Sequence, residues 1–218
     1  MAKASVACRI VSMSSDAFLP LSLLLSCAIA MAADRPFGKA SSGRSPVLAK
    51  HGMVATSQPL AAQAGLRILQ QGGNAYDAAV ATAAVLAVVE PMMTGPGGDV
   101  FMLAHDAGSG KLLGLNGSGF SPQGANPRFF KEKGLGAIPT TGPFSVSIPG
   151  AVDAWAEIVE KHGKLTLAEV LAPAIAYAEE GYAVTEIIGG DWVRGGPPHA
   201  DKDEFRRVFL KGAGEPYR

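Results

Sequence analysis

An α/β (α+β) fold, with helices packed on a mixed sheet, is predicted by three patterns in this sequence of 218 residues. Residues 60–69 place apolar side chains on one helix face, and residues 78–89 are apolar almost without interruption. Residues 100–105 and 111–116 are two short apolar segments joined by a glycine-containing stretch, which is typical of a β-hairpin. Hydrophobic residues make up 48% of the chain, enough for a sizeable core.

Local signals position the elements of the first half. Residues 51–56 form a short apolar segment that we predict to be a strand. Ser57 is a suitable N-cap for the helix that follows, and Pro59 suits its first turn. A glycine pair ends that helix. Asn74 is expected to cap a second helix over about residues 76–89, which is too short to span a bilayer and is therefore predicted to be a core helix.

The second half is predicted to be less regular. Residues 117–149 are rich in glycine and proline and are expected to be irregular. Two helices are predicted next, Ala151–His162 and Leu167–Glu180, the second starting with a capping box at Thr166. The last segment, 189–218, is polar and contains no predicted closing element.

The first 33 residues differ in composition from the rest and predict an export signal. Basic residues precede an apolar stretch that is too short and too broken for a stable membrane span, and small residues at Ala30 and Ala32 fit a signal-peptidase site. We therefore predict a signal peptide at 1–33, a flexible mature N-terminus at 34–49, and a periplasmic or secreted protein.

Two other interpretations of this N-terminal segment remain open. The start codon can be misassigned, which would leave an apolar N-terminal helix. Cys27 can instead be a lipoprotein processing site, although Leu25 is untypical of one. Both cysteines of the chain, Cys8 and Cys27, lie within residues 1–33, so the mature chain would have no disulfide or thiolate chemistry.

Charge and motif content exclude several classes of function. Lys and Arg together number 19, as do Asp and Glu, and no basic run is present, so nothing favours a nucleic-acid partner. The sequence contains no GxSxG, P-loop or HExxH motif. The four histidines are widely scattered and none has metal-ligand spacing, so we predict no metal and no cofactor.

Three short motifs remain informative, although each taken singly is more often a turn than a site. Residues 71–79 join two helices through a tight glycine turn, with Asp77 in the first turn of the second helix. Residues 95–99, Gly-Pro-Gly-Gly-Asp, bring bare backbone to the start of a strand. Residues 116–119, Asn-Gly-Ser-Gly, end the next strand with two side chains that can form hydrogen bonds.

The order and spacing of these motifs resemble the gamma-glutamyltransferase family (also called gamma-glutamyltranspeptidase or glutathione hydrolase). The later segments 146–155, containing Ile-Pro-Gly, and 171–182 are also similar to segments of that family. The resemblance covers about residues 50–218, which we predict to be a partial gamma-glutamyltransferase-like domain corresponding to the N-terminal part of the large subunit.

The resemblance implies an N-terminal nucleophile hydrolase with a four-layer αββα sandwich, of which only the N-terminal portion is present. Family members are zymogens that cut themselves into a large and a small subunit. The new N-terminal Thr of the small subunit is the nucleophile, activated by its own amine. That Thr is expected beyond Arg218, so no catalytic residue is predicted within this chain, and the small-subunit portion is an expected partner.

The predicted substrate is a small-molecule acyl donor such as a gamma-glutamyl compound, with Asn116 and Ser118 as substrate-binding residues. Glutathione-cleaving members carry an Arg shortly after the corresponding strand, which pairs with the substrate α-carboxylate. The stretch 116–120 has no Arg. This departure favours a divergent branch similar to glutaryl or cephalosporin acylases. A further alternative is an exported non-catalytic binding protein, or a pseudogene product, on the same scaffold.

Overall fold

A computed structural model of the chain describes residues 46–140, 142–195, 199 and 201–211. The predicted signal peptide 1–33 and residues 34–45 of the predicted flexible segment lie outside the described residues. The elements described below all belong to one compact unit, Ala49–Arg218.

The described residues contain seven α-helices and one β-hairpin, and a short 3₁₀ turn at Pro143–Ser145 precedes the fourth helix. In chain order the elements are α1 (Pro59–Gln70), α2 (Ala75–Val89), β1 (Val100–Asp106), β2 (Lys111–Gly117), α3 (Pro127–Glu132), α4 (Ala151–His162), α5 (Leu167–Glu180), α6 (Glu186–Gly195) and α7 (Asp203–Phe209).

Helix α2 is the centre of the core, as its composition predicts. Its buried residues point in several directions because α1, α4 and α5 all pack against it. Helix α1 approaches α2 closely where small residues meet: Gly65 of α1 has no room for a side chain beside the Thr82 hydroxyl. The Thr82 hydroxyl donates to the Ala78 carbonyl at 2.7 Å, so this buried polar group is satisfied within its own helix.

The predicted hairpin is confirmed, and its two faces differ. Strands β1 and β2 pair antiparallel from Val100 opposite Gly117 to Asp106 opposite Lys111. Alternate residues on the inner face, such as Val100 and Met102, pack against the helical core. The outer face carries Phe101, which is 70% exposed, and Leu103, which is 79% exposed.

The hairpin turn is held by the side chain of Asp106. Its carboxylate accepts hydrogen bonds from the backbone N–H groups of Gly108 and Ser109 and from the Ser109 hydroxyl. The hydroxyl, followed by the two N–H groups, lowers the pKa of Asp106.

Two local predictions for the start of the helical region are wrong. Residues 52–56 belong to no strand, because no other described segment pairs with them. Helix α1 is capped by Gln58, whose side chain accepts from Leu60 and Ala61 N–H, and Ser57 is not the cap. The Ser57 hydroxyl instead donates to the Glu90 carboxylate at 2.6 Å, linking the start of α1 to the end of α2.

The predicted irregular and polar segments contain helices that the sequence pattern does not reveal. Helix α3 lies within 117–149, where Asn126 caps it and Pro127 occupies its first turn. Its aromatic residues Phe129 and Phe130 meet Phe144 edge to face. Helix α7 and most of α6 lie within 189–218, and glycines inside α6 obscure its apolar pattern.

Candidate functional site

Three of the sequence motifs converge at the N-terminus of α4. The carbonyl oxygen of Gly98 accepts hydrogen bonds from Gly150 N–H at 3.2 Å and from Ala151 N–H at 3.0 Å. Gly150 is the N-cap and has no side chain to satisfy these first-turn donors, so the backbone of the 95–99 loop replaces a capping side chain. The Ser147 hydroxyl also donates to Asp99 at 3.4 Å, a longer contact between the same two segments.

The end of β2 passes the N-terminus of α4 so closely that side chains have no space there. A methyl group at Gly119 would overlap the carbonyl oxygen of Ile148, and one at Gly150 would overlap the carbonyl oxygen of Gly117. A methyl group at Gly117 would lie 2.5 Å from the Ala154 side chain. We call Gly117, Gly119 and Gly150 the glycine crossing. Since the obstructing atoms are mostly backbone, these positions accept glycine only.

The glycines of the 95–99 loop are less restricted than the sequence suggests. Nothing lies within 4 Å of a methyl group placed at Gly95 or Gly97. The Gly98 carbonyl does approach the N-terminus of α4, but the positions with no room for a methyl group lie at the glycine crossing. Both stretches contain glycines, but the partners that make the crossing tight lie about thirty residues further along the chain.

Asn116 and Ser118 flank Gly117 of the glycine crossing. The Asn116 side chain is on the exposed face of the hairpin, where it lies opposite Phe101. Its Oδ1 atom accepts a hydrogen bond from Ser118 N–H at 3.0 Å, so it also stabilises the turn after β2. The Asn116 amide group and the Ser118 hydroxyl make no hydrogen bond within the described part of the chain.

The stretch of sequence around Asn116 and Ser118 contains no positively charged residue. No Lys or Arg occurs between residues 112 and 127. The next basic residue, Arg128, is largely exposed and pairs with Glu132 at 2.7 Å. The stretch after β2 therefore offers neutral hydrogen-bonding groups, an amide and a hydroxyl, and no guanidinium for a carboxylate.

The fourth motif, 71–79, forms a separate structural junction. Asp77 is fully buried, and its Oδ2 atom accepts from Asn74 N–H at 2.8 Å and from Lys164 N–H at 3.0 Å. The Asn74 side chain caps α2 and donates to the His162 carbonyl at 2.6 Å. We call Asn74, Asp77 and residues 162–164 the polar junction. It confirms the helix-cap interpretation and ties α2 to the turn between α4 and α5.

The described residues contain no group of three or more His, Cys, Asp or Glu that could hold a metal ion. His162 stacks on Tyr76 with ring centroids 4.9 Å apart, which is a packing role. Among the same residues, every helix is too short or too polar to cross a membrane.

The sequence that carries these motifs is similar to that of known proteins. Residues 61–218 match the family model described as gamma-glutamyltranspeptidase. The chain belongs to the gamma-glutamyltranspeptidase family. It is 48% identical over 134 residues to the glutathione hydrolase-like YwrD proenzyme of Bacillus subtilis (strain 168), a match that covers 61% of this chain and 25% of that protein.

Solved structures extend the likeness to the fold. Cephalosporin acylase from Bacillus halodurans superposes with a TM-score of 0.74 at 44% identity, covering 85% of this chain and 37% of that one. Helicobacter pylori gamma-glutamyltranspeptidase gives 0.73 at 29% identity, covering 80% and 50%. The chain thus has the mixed helix and strand fold of N-terminal nucleophile hydrolases, and it spans between a quarter and a half of the length of these relatives.

Proposed function

We propose that the chain forms the N-terminal part of the large subunit of a gamma-glutamyltransferase-like hydrolase, which transfers or hydrolyses an acyl group. The observation that carries this proposal is the match of residues 61–218 to the gamma-glutamyltranspeptidase family. Relatives of this family are named as proenzymes, which fits a second subunit beyond the stretch described here.

The proposed chemistry uses a Thr that lies beyond Arg218. Its hydroxyl oxygen attacks the amide carbonyl carbon of the donor while its own amine takes the hydroxyl proton. The carbon–nitrogen bond then breaks, the leaving amine takes that proton, and an ester-linked acyl-enzyme remains. Water or the amine of an amino acid attacks this ester and releases the Thr hydroxyl. No metal or other cofactor takes part in these steps.

Asn116 and Ser118 are proposed to border the bound acyl group. The glycine crossing supports this role, because it fixes the backbone on both sides of Ser118 and so fixes where the two side chains project. Because the backbone at these residues is already fixed, no further backbone ordering is needed when a substrate binds.

A second candidate is an acylase of the glutaryl or cephalosporin type, and one observation favours it. The stretch 112–127 contains no basic residue, whereas glutathione-cleaving members carry an Arg there. A hydroxyl at Ser118 is a poor substitute for a bidentate guanidinium–carboxylate pair. A glutaryl donor lacks the α-amino group of a gamma-glutamyl donor but keeps the terminal carboxylate, so only donors without that carboxylate need no such pair.

The experiment compares kcat/KM for a gamma-glutamyl anilide and for a 4-aminobutanoyl anilide, which lacks only the α-carboxylate, in the complete protein and in Ser118→Arg. We expect the parent to discriminate little between the donors. In the Arg variant, the ratio of kcat/KM for the glutamyl donor to kcat/KM for the other donor should rise. The rise should be part of the roughly 10- to 150-fold that a charge-assisted hydrogen bond provides. Ser121→Arg, at an exposed serine three residues further on, is the matched control and should leave the preference between the two donors unchanged.

Two outcomes would reject parts of this proposal. If the parent protein already prefers the glutamyl donor about a hundredfold, another residue binds the α-carboxylate. A complete protein that carries the Thr but turns over neither donor, and binds one without cleaving it, supports the non-catalytic alternative.

Export is a separate part of the proposal and rests on the sequence of residues 1–33 alone. N-terminal sequencing of protein purified from its native host should begin near Ala33, as expected for a periplasmic or secreted protein. An acylated N-terminal Cys27 would instead identify a lipoprotein. An intact Met1 in the cytosolic fraction would contradict both forms of export.

A further inference from the structure

Asp99 lies where the three segments that meet at the glycine crossing come together. It directly precedes β1, and Ser118 directly follows β2. Because Val100 pairs with Gly117, Asp99 and Ser118 are neighbours across the open end of the hairpin. From the third segment, the Ser147 hydroxyl donates to Asp99 Oδ1 at 3.4 Å. A carboxylate therefore lies beside the residues that are proposed to border the acyl group.

The charge of Asp99 is not balanced by a nearby cation. The three segments fall within the stretches 68–110, 112–127 and 134–160, and none of these stretches contains Lys or Arg. Asp99 is exposed and forms no ion pair with any residue that the structure describes. Among the same residues, its carboxylate receives only the long hydrogen bond from the neutral Ser147 hydroxyl. The carboxylate is therefore open to a charged group on a ligand.

We propose that Asp99 sets the charge preference of the acyl site, which favours a donor whose acyl tail ends in a cation over one whose tail ends in a carboxylate. The inference rests on the proposed function, in which Asn116 and Ser118 border the acyl group. Glutathione-cleaving members carry an Arg in the stretch after the corresponding strand, where it pairs with a carboxylate. In this chain the stretch contains no cation and the neighbouring charge is negative, so the preference is inverted.

The physical reason lies in the hydrogen-bonding groups at this end of the hairpin. An ammonium group on the tail would donate a charge-assisted hydrogen bond to Asp99, and the Ser118 hydroxyl can also accept from it. A carboxylate on the tail would face Asp99 with no cation between them, and like charges repel. A gamma-glutamyl tail carries both charges on one carbon, so its ammonium offsets the repulsion of its carboxylate. The effect is therefore largest for tails with a single charge.

The test compares three anilides with acyl chains of equal length in the complete protein: 5-aminopentanoyl, pentanoyl and glutaryl. The ammonium of the first takes the place of the glutaryl carboxylate, and the pentanoyl chain has neither charge. We expect kcat/KM to fall in that order, with at least about tenfold between the first donor and the last. Asp99→Asn should bring this ratio close to one, whereas Asp99→Glu, which keeps the charge, should retain part of it. Each ratio is measured within one protein, so a smaller folded fraction does not change it.

Asp153→Asn is the matched control. It removes another exposed carboxylate, in the first turn of α4, and should leave the ratio between the two charged donors unchanged. A parent that prefers the glutaryl donor would overturn the proposal, and so would an unchanged ratio in Asp99→Asn. An equal change in Asp99→Asn and Asp153→Asn would also overturn it, because the preference would then come from the general negative potential and not from Asp99.

Binding separates failure of this inference from failure of the acyl-transfer chemistry. If the complete protein cleaves none of the three donors, the proposed reaction is wrong, and titration calorimetry with 5-aminopentanamide and pentanamide tests the site directly. Tighter binding of the amine-bearing amide, lost in Asp99→Asn but retained in Asp153→Asn, would support the charge preference in an inactive protein. Equal affinity for the two amides, or binding of neither, would overturn it.

Discussion

Helices α2 and α4 both begin at a glycine-containing motif, yet the two N-termini are held in different ways. At α2, the side chains of Asn74 and Asp77 form a capping box and also bind the backbone of residues 162–164. At α4, Gly150 contributes no side chain, and the Gly98 carbonyl accepts the first N–H groups. The polar junction uses directed hydrogen bonds, whereas the glycine crossing uses direct approach of three backbone segments.

This difference predicts how each region tolerates change. Hydrogen bonds at the polar junction can be lost singly, each at a limited cost. Backbone overlap at the glycine crossing cannot be relieved by a rotamer change, because the obstructing atoms belong to the chain itself. We therefore expect a steep loss of stability at the crossing and a graded loss at the junction.

The largest effect is expected for Gly119→Ala. Its methyl group would overlap the Ile148 carbonyl, so β2 and the segment before α4 would have to separate, at a cost above about 4 kcal/mol. Urea denaturation of the purified protein measures the loss. Gly124→Ala is the matched control, since nothing lies within 4 Å of its added methyl group. Comparable stability of the two variants would show that the crossing has room to relax.

An intermediate effect is expected for Asp77→Ala. The change leaves the buried N–H groups of Asn74 and Lys164 without their acceptor, and each unsatisfied donor costs about 1–3 kcal/mol. Asp77→Asn retains one acceptor oxygen and should lose less. Glu179→Ala, at an exposed carboxylate of α5, should change the unfolding free energy little. If Asp77→Ala matches that control, the polar junction does not stabilise the fold.

The same comparison separates what the sequence predicts from what it cannot. Caps and periodicity are local, so the bounds of α4 and α5 and the capping role of Asn74 were predictable from neighbouring residues. The glycine crossing joins residues 98, 117, 119 and 148–150, and no local pattern indicates which glycines approach which carbonyls. Residues 52–56 fail as a predicted strand for a related reason: a strand requires a partner, and sequence alone does not supply one.

The candidate site was predictable in its residues but not in its surroundings. Family resemblance pointed to Asn116 and Ser118, and their substrate role remains a prediction. Their fixed backbone and the hydrogen bond from Ser118 N–H to Asn116 emerge only from the fold. Ser147, which contacts Asp99, was missed, although its position just before Pro149 and Gly150 at a helix start was a usable signal.

The smallest effect concerns pH and is expected at the start of α5, which follows the polar junction. The backbone N–H of Thr166, and then its hydroxyl, lower the pKa of Glu169 in the capping box. The folded state therefore favours ionised Glu169. The stability that this carboxylate contributes is complete above its pKa in the unfolded chain, and it is lost as the pH falls through its lower pKa in the folded chain, from about pH 5 downward. Hydrogen exchange in the first turn of α5, corrected for intrinsic rates, should accelerate over this range, while Gly150 and Ala151, whose partner is a carbonyl, should not respond. Glu169→Gln should remove the acceleration, whereas Glu179→Gln should retain it. Identical pH profiles for the parent and Glu169→Gln would mean that the capping carboxylate contributes nothing to this end of α5.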